Sequence, residues 1–211
     1  MSVFQQRVDY GMKALLESEV AADPVSQFRV WFEEAIKAGV PDANAMTLAT
    51  ATPDGTVSAR IVLLKEYDAR GFTFYTNFQS AKGKQLARNP HAALVFYWYA
   101  LERQVRIEGT VVQLTAKEAD EYFRTRPVGS QIGAVVSPQS QIVQDRSVLE
   151  KEFERMEKKY GNDPVPRPEH WGGFRVVPGR VEFWQGRNNR LHDRIVYTKN
   201  ADEWKIERLA P

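Results

Sequence analysis

Val181-Glu182-Phe183-Trp184-Gln185, followed after four residues by Arg190-Leu191-His192-Asp193-Arg194, is the stretch on which the reading of this chain turns. Alternation through Val176-Val177, Val181 and Phe183 reads as strand, and Arg187-Asn188-Asn189 as the turn that follows it. Beyond the turn, Arg190, His192 and Arg194 recur at every second position. On an extended backbone all three side chains would leave the same face. Arginine binds oxyanions and stacks on rings, and histidine can donate to a ring oxygen, so that face suits an anionic, planar ligand. By spacing alone it is equally an exposed basic strand end.

The pattern continues outward from this segment. Phe174 to Pro178, Arg180 to Trp184, Asp193 to Thr198 and Trp204 to Leu209 read as the closing strands. Earlier, Ala45 to Thr52 and Thr56 to Lys65 are joined by Pro53-Asp54-Gly55, a hairpin signal. Phe72 to Thr76, Ala92 to Tyr99 and Arg103 to Leu114 complete the set. Asp23-Pro24 opens an amphipathic helix through Phe28, Trp31, Phe32, Ala35 and Ile36 that closes near Gly39. Ser80 caps a short helix ending at Asn89-Pro90. Thr115-Ala116-Lys117-Glu118 is a capping box for a helix to about Thr125, and Val148 to Tyr160 is helical by spacing. Roughly eight strands with few intervening helices predict a mainly β antiparallel barrel with flanking helices. An N-terminal arm, residues 1–22, would precede a single domain over residues 23–211.

Composition excludes several classes of function. The chain has 211 residues, 29 basic against 27 acidic, and no cysteine. A net charge of +2 is not that of a general polyanion binder, so anion recognition must be local. The lack of cysteine removes disulfides, thiolate metal sites and a cysteine nucleophile, and fits a reducing cytoplasm. No apolar run reaches the roughly 18 residues that span a bilayer, and Met1 to Arg7 lacks a signal-peptide core. There is no Gly-x-Gly-x-x-Gly, Walker or nucleophile-elbow motif, and His91, His170 and His192 show no metal-ligand spacing. A bound phosphate must therefore be held by side chains.

Those side chains fall in a few segments. Arg60-Ile61-Val62-Leu63-Leu64-Lys65 is a strand with basic ends, which on a regular strand lie on opposite faces roughly 16 Å apart. They could serve two different anions or simply be solvated ends. Tyr122 and Arg126 are four apart, on one face if the helix extends that far, with Ser130 just beyond Pro127. Together with Lys65 they could clamp a phosphate monoester. Gln104 opens a strand, and its amide can donate and accept at once.

Taken together, these segments resemble the pyridoxine (pyridoxamine) 5'-phosphate oxidase family. Its signature runs hydrophobic-Glu-Phe-Trp-Gln, four variable residues, then Arg-Leu-His-Asp-Arg. The resemblance runs from Arg7 to Pro211. It implies a split β-barrel, FMN as cofactor and a homodimer with FMN at the subunit interface. The implied reaction oxidises pyridoxine or pyridoxamine 5'-phosphate to pyridoxal 5'-phosphate, with dioxygen as acceptor. It assigns flavin contacts to Arg60, Ile61, Val62, Leu63, Leu64 and Lys65, to Tyr75, Thr76 and Lys82, to Gln104, to Gln139 and Ser140, and to Trp184 and Arg194. It assigns the substrate phosphate to Lys65, Tyr122, Arg126 and Ser130. Arg190 would cover the substrate ring and His192 would bond its phenolic oxygen. Arg7 and Tyr10 match an N-terminal segment that folds over the substrate, with Val8 departing from it. Ala81 also departs, because relatives commonly carry an arginine there. Phenazine-biosynthesis flavin oxidases share the Arg-Leu-His-acid-Arg segment but tend to lose the lysine at the Lys65 position. A non-catalytic flavin- or pyridoxal-phosphate-binding barrel is a further alternative. A nucleic-acid-binding barrel rests only on Phe96 to Tyr99 beside Arg103.

Overall fold

The Asp23 carboxylate accepts from the backbone N–H groups of Val25 and Ser26, both at 2.9 Å, and Pro24 supplies the fixed φ of a first helical residue. Helix α1 (Pro24–Lys37) follows as the spacing predicts, burying Phe28, Trp31 and Ala35. The computed structural model describes residues 11, 13–161 and 163–211. After α1 come β1 (Ala45–Ala51), β2 (Val57–Leu63), β3 (Glu66–Asp68) and β4 (Gly71–Asn77). Helix α2 (Ala81–Arg88), β5 (His91–Trp98) and β6 (Arg103–Gln113) come next. Helices α3 (Ala116–Thr125), α4 (Val128–Val136) and α5 (Arg146–Tyr160) lead into β7 (Trp171–Gln185), β8 (Asp193–Asn200) and β9 (Glu203–Arg208).

All pairings among the nine strands are antiparallel, in the order β2-β1-β5-β6-β7-β4-β3, with β8 and β9 added beyond β7. The sheet curls into a split barrel around α1. Phe28 lies 5.0 Å, ring centre to ring centre, from each of Phe72 and Phe96 and 6.0 Å from Trp98. The aromatic run at 96–99 therefore alternates: Phe96 and Trp98 are core, Tyr97 and Tyr99 are exposed. A second apolar cluster, built on Phe123, Ile132, Val165 and Trp171, lies among α3, α4 and α5.

Three elements differ from the sequence reading. Phe174 to Pro178 and Arg180 to Trp184 are one continuous strand, β7, because Gly179 is taken up as the extra residue of a bulge: Arg180 pairs with Glu108 of β6 and Pro178 with the next residue, Gly109. Gly109 is required there: a Cβ would lie 2.0 Å from the Val177 carbonyl oxygen. Residues 128–136, to which the sequence reading assigns no element, form α4. Strand β3 is an added edge segment.

Candidate functional site

Strands β2 and β4, helices α2, α3 and α4, and the loop after α4 enclose a cleft of about 880 Å³. Fourteen positions stand out in the sequence over these elements, and twelve of them line this space: Arg60, Ile61, Val62, Leu63, Lys65, Tyr75, Thr76, Lys82, Tyr122, Arg126, Ser130 and Gln139. Leu64 does not; it turns into the core. Ser140 follows Gln139 with a left-handed φ of 70° and is exposed, outside the cleft lining.

Arg60 and Lys65 reach the same cleft because β2 stops at Leu63, so the opposite-face rule for a regular strand ceases before Lys65. The Lys65 N–H instead bonds the Thr73 carbonyl of β4 at 2.9 Å. Arg126 is likewise not on the helical face expected from its spacing to Tyr122. Helix α3 ends at Thr125, and Arg126 is extended, with ψ 145°, as the residue before Pro127 must be. Ser130 enters from the first turn of α4.

Among the described residues, no acidic side chain lines the cleft, yet four cations do. The Arg60 guanidinium donates to the Leu48 carbonyl (3.0 Å), the Thr50 hydroxyl (2.7 Å) and the Gln85 amide oxygen (3.4 Å). The buried Lys82 ammonium reaches the Thr76 hydroxyl at 3.2 Å and the Gln139 amide oxygen at 3.4 Å. Arg126 Nη1 is sealed from solvent without a hydrogen-bond partner. Burial lowers the pKa of all three, and the neighbouring Arg60 charge depresses Lys82 further. A buried cation without a counter-charge is costly unless a ligand provides one. The donor set is thus matched to anions, and phosphate esters fit it. Burial also pushes the Tyr75 phenol up to about 12, so Tyr75 is neutral near pH 7.

The remaining predicted residues gather elsewhere. Gln104 on β6 pairs with Trp184 on β7, which pairs with Arg194 on β8, forming a row across three strands. The Trp184 and His192 rings are 4.6 Å apart. Arg194 is held by the buried Glu182 carboxylate through two bonds, of 2.9 and 3.1 Å. The Arg187 N–H donates to His192 Nδ1 at 3.1 Å, so the neutral ring carries its proton on Nε2. Burial, aided by the Arg190 charge, holds the His192 pKa below its ordinary value. Arg190 does not share a strand face with His192 and Arg194. Strand β8 begins only at Asp193, and Asn189 and Arg190 form a left-handed turn with φ of 57° and 61°. Arg7 and Tyr10 lie outside the described residues. Trp171, unremarked in the sequence, lines the cleft beside Tyr122 and Arg126; as a lone tryptophan before Gly172-Gly173 it reads as ordinary core.

The architecture and the acid-free cleft together define an antiparallel split barrel with an anion-binding pocket. A sequence profile described as pyridoxamine 5'-phosphate oxidase matches residues 32–160. A second, described as the pyridoxine 5'-phosphate oxidase C-terminal dimerisation region, matches residues 171–211. The pyridoxine/pyridoxamine 5'-phosphate oxidase of Acaryochloris marina is 55% identical over 210 residues, covering 100% of this chain and 96% of its own. That of Salinibacter ruber is 57% identical over 208 residues, covering 97% of each chain. Among solved structures, PhzG from Burkholderia lata, in complex with tetrahydrophenazine-1-carboxylic acid, superposes with a TM-score of 0.90. It is 30% identical and covers 95% of this chain and 100% of its own. The chain belongs to the pyridoxine/pyridoxamine 5'-phosphate oxidase family, a family of oxidoreductases.

Proposed function

We propose that this chain is an FMN-dependent oxidase that converts pyridoxine 5'-phosphate or pyridoxamine 5'-phosphate to pyridoxal 5'-phosphate, with dioxygen reduced to hydrogen peroxide. With the amine substrate, water is consumed and ammonia released. The observation that carries this reading is the cleft with four cations and no acid among the described residues, which offers charge for two phosphate esters. Arg60, Lys82, Thr76 and Gln139 would hold the phosphate of FMN. Lys65, Tyr122, Arg126 and Ser130 would hold that of the substrate. When bound, FMN supplies the two-electron acceptor for the substrate's C4' carbon and the route from there to dioxygen.

The chain's own contribution is placement. Arg190 covers the pyridine ring, and His192, neutral and protonated at Nε2, donates to the phenolic oxygen. Gln104, Trp184 and Arg194 would contact the flavin, and the resemblance assigns Arg7 and Tyr10, outside the described residues, to the substrate. Gln104, Trp184, Arg190, His192 and Arg194 lie outside the cleft lining, so in this reading a second subunit supplies them to each site of a homodimer. The dimerisation-region match supports that arrangement. So does the outward face of β2, where Val57, Ile61 and Leu63 are 76%, 64% and 41% exposed. No described helix is long and apolar enough to cross a membrane, and the cysteine-free chain is assigned to the cytoplasm.

The likeness to PhzG favours a phenazine-type oxidase as the second reading. Identity of 53–57% to the B6 oxidases and the Lys65, Tyr122 and Arg126 cluster weigh for the first. The test is anaerobic mixing of FMN-loaded protein with pyridoxine 5'-phosphate, followed by air. Bleaching of the flavin band, its return on aeration and the appearance of pyridoxal 5'-phosphate are expected. A flavin that stays oxidised although bound overturns the assignment in favour of a phenazine-type or binding-only barrel.

A further inference from the structure

Arg126 is the strangest cation in the cleft. It is half-buried, it has a sealed nitrogen without a partner, and what faces it is aromatic. Its guanidinium carbon lies 4.6 Å from the centre of the Trp171 ring and 5.6 Å from that of Phe123. Trp171 is fixed in turn. Its ring lies within 7° of parallel to Tyr122 and 11° of Tyr75, and those two tyrosines stack at 3.9 Å. Its carbonyl accepts from Arg167 Nη1 at 2.6 Å, while Arg167 Nε bonds Asp120 of α3, also at 2.6 Å.

A carboxylate in place of the indole would hold Arg126 just as firmly but would cancel its charge. An aromatic face holds a guanidinium through the ring quadrupole and leaves the full charge for something else. The same parallel stack sets the plane of Tyr122. We propose that Trp171 is a positioning residue: it aims Arg126 and Tyr122 at the phosphate ester of the substrate and so sets the preference for phosphorylated over unphosphorylated substrate. This rests on the reading that a substrate phosphate binds beside Arg126.

The test uses the FMN-loaded enzyme with Trp171→Leu, Trp171→Phe and Arg126→Met. For each, kcat and KM are measured with pyridoxine 5'-phosphate and with pyridoxine, along with inhibition by inorganic phosphate. Trp171→Leu should raise KM for pyridoxine 5'-phosphate, and the inhibition constant of inorganic phosphate, by about tenfold, the scale of a desolvated cation–π contact. Its kcat should stay within about twofold, and kcat/KM for pyridoxine should not move, since uniform binding shows in KM alone. Trp171→Phe keeps a ring face and should lose only about threefold. In the Arg126→Met background, either substitution at 171 should weaken phosphate binding by less than it does in the unaltered enzyme, leaving only the part that acts through Tyr122. This cycle can be run with the phenylalanine variant if the leucine variant does not fold. Equal losses for both substrates, a fall in kcat without a rise in KM, or additive losses would overturn the proposal and mark Trp171 as packing only. If inorganic phosphate does not compete in the unaltered enzyme, the phosphate reading of the Arg126 cluster fails, and the role of Trp171 with it.

Discussion

Two regions of this molecule each gather several cations, and they treat them oppositely. On β7, the carboxylate of Glu182, 1% exposed, is ringed by Arg194, Arg106 at 3.5 Å and Arg180 at 3.6 Å. Its hydrogen bonds raise the pKa of Arg194. In the cleft, Arg60, Lys82 and Arg126 have only hydroxyls, amides, a carbonyl or ring faces, and burial pulls all three down. The same residue types are thus internally balanced in one place and left with charge to spend in the other. The contrast marks where charge is left unspent more cleanly than burial does, since both regions are partly buried. Folding selects for paired charge, whereas a cluster held unpaired at a cost in stability marks where a ligand's charge is expected.

The contrast can be attacked from both sides. Glu182→Gln keeps the shape but leaves Arg194 facing a neutral amide, while Arg106 and Arg180 keep Glu108 alone. Losing one partner of a buried ion pair typically costs about 3–5 kcal/mol, so a large drop in denaturation midpoint is expected in apo and FMN-loaded protein alike. An unchanged midpoint would mean that the Glu182 cluster is not balanced in the sense described.

Lys82→Met should behave in the reverse way. The apoprotein should unfold at the same or a higher temperature, because a buried cation without a counter-charge has been removed. FMN binding should weaken by about 10- to 100-fold, the value of roughly 1.5–3 kcal/mol for a charge-assisted bond. The pH dependence follows with the same sign. Lys82 has a depressed pKa in the folded apoprotein, so the folded state binds protons less readily than the unfolded chain there. Lys82 should therefore stabilise the apoprotein progressively as pH rises through that depressed value, while FMN affinity falls over the same range. In Lys82→Met both slopes should flatten; a variant that destabilises the apoprotein, or retains the slopes, contradicts the assignment. The smallest effect is expected from Ala81→Arg. Position 81 is exposed at the first residue of α2, where an added cation meets the unfavourable helix N-terminus. FMN affinity measured by fluorescence quenching should rise by no more than about tenfold, with no change in apoprotein stability.

Much of this architecture could be read from local chemistry. Asp23-Pro24 and Thr115 with Glu118 cap helices where the sequence places them, because capping depends on residues within one turn. The twelve cleft residues were legible only through motif resemblance: their spacing gave separate candidate groups, not one site. What escaped was non-local. Pro178-Gly179 reads as a break, and only a bulge at Gly179, opposite Glu108 and Gly109 of β6, lets β7 run through it. Two glycines disguise α4, whose apolar Ile132 gains a partner only when α3 and β7 are present. Arg190 leaves the strand face because of two left-handed residues, which no alternation pattern anticipates. Trp171 became meaningful only beside Arg126, forty-five positions earlier.

Strand β7 hydrogen-bonds β4, β6 and β8, and Phe74 of β4 finds its partner Phe174 a hundred positions later. During synthesis, the inner edges of β4 and β6 must therefore wait, unpaired, until about the last fifth of the chain has begun to emerge. Non-local pairing of this kind slows folding, and open strand edges invite association. Chains arrested before Trp171 should accordingly be sticky and protease-sensitive, and release of the final strands should be the step that closes the barrel.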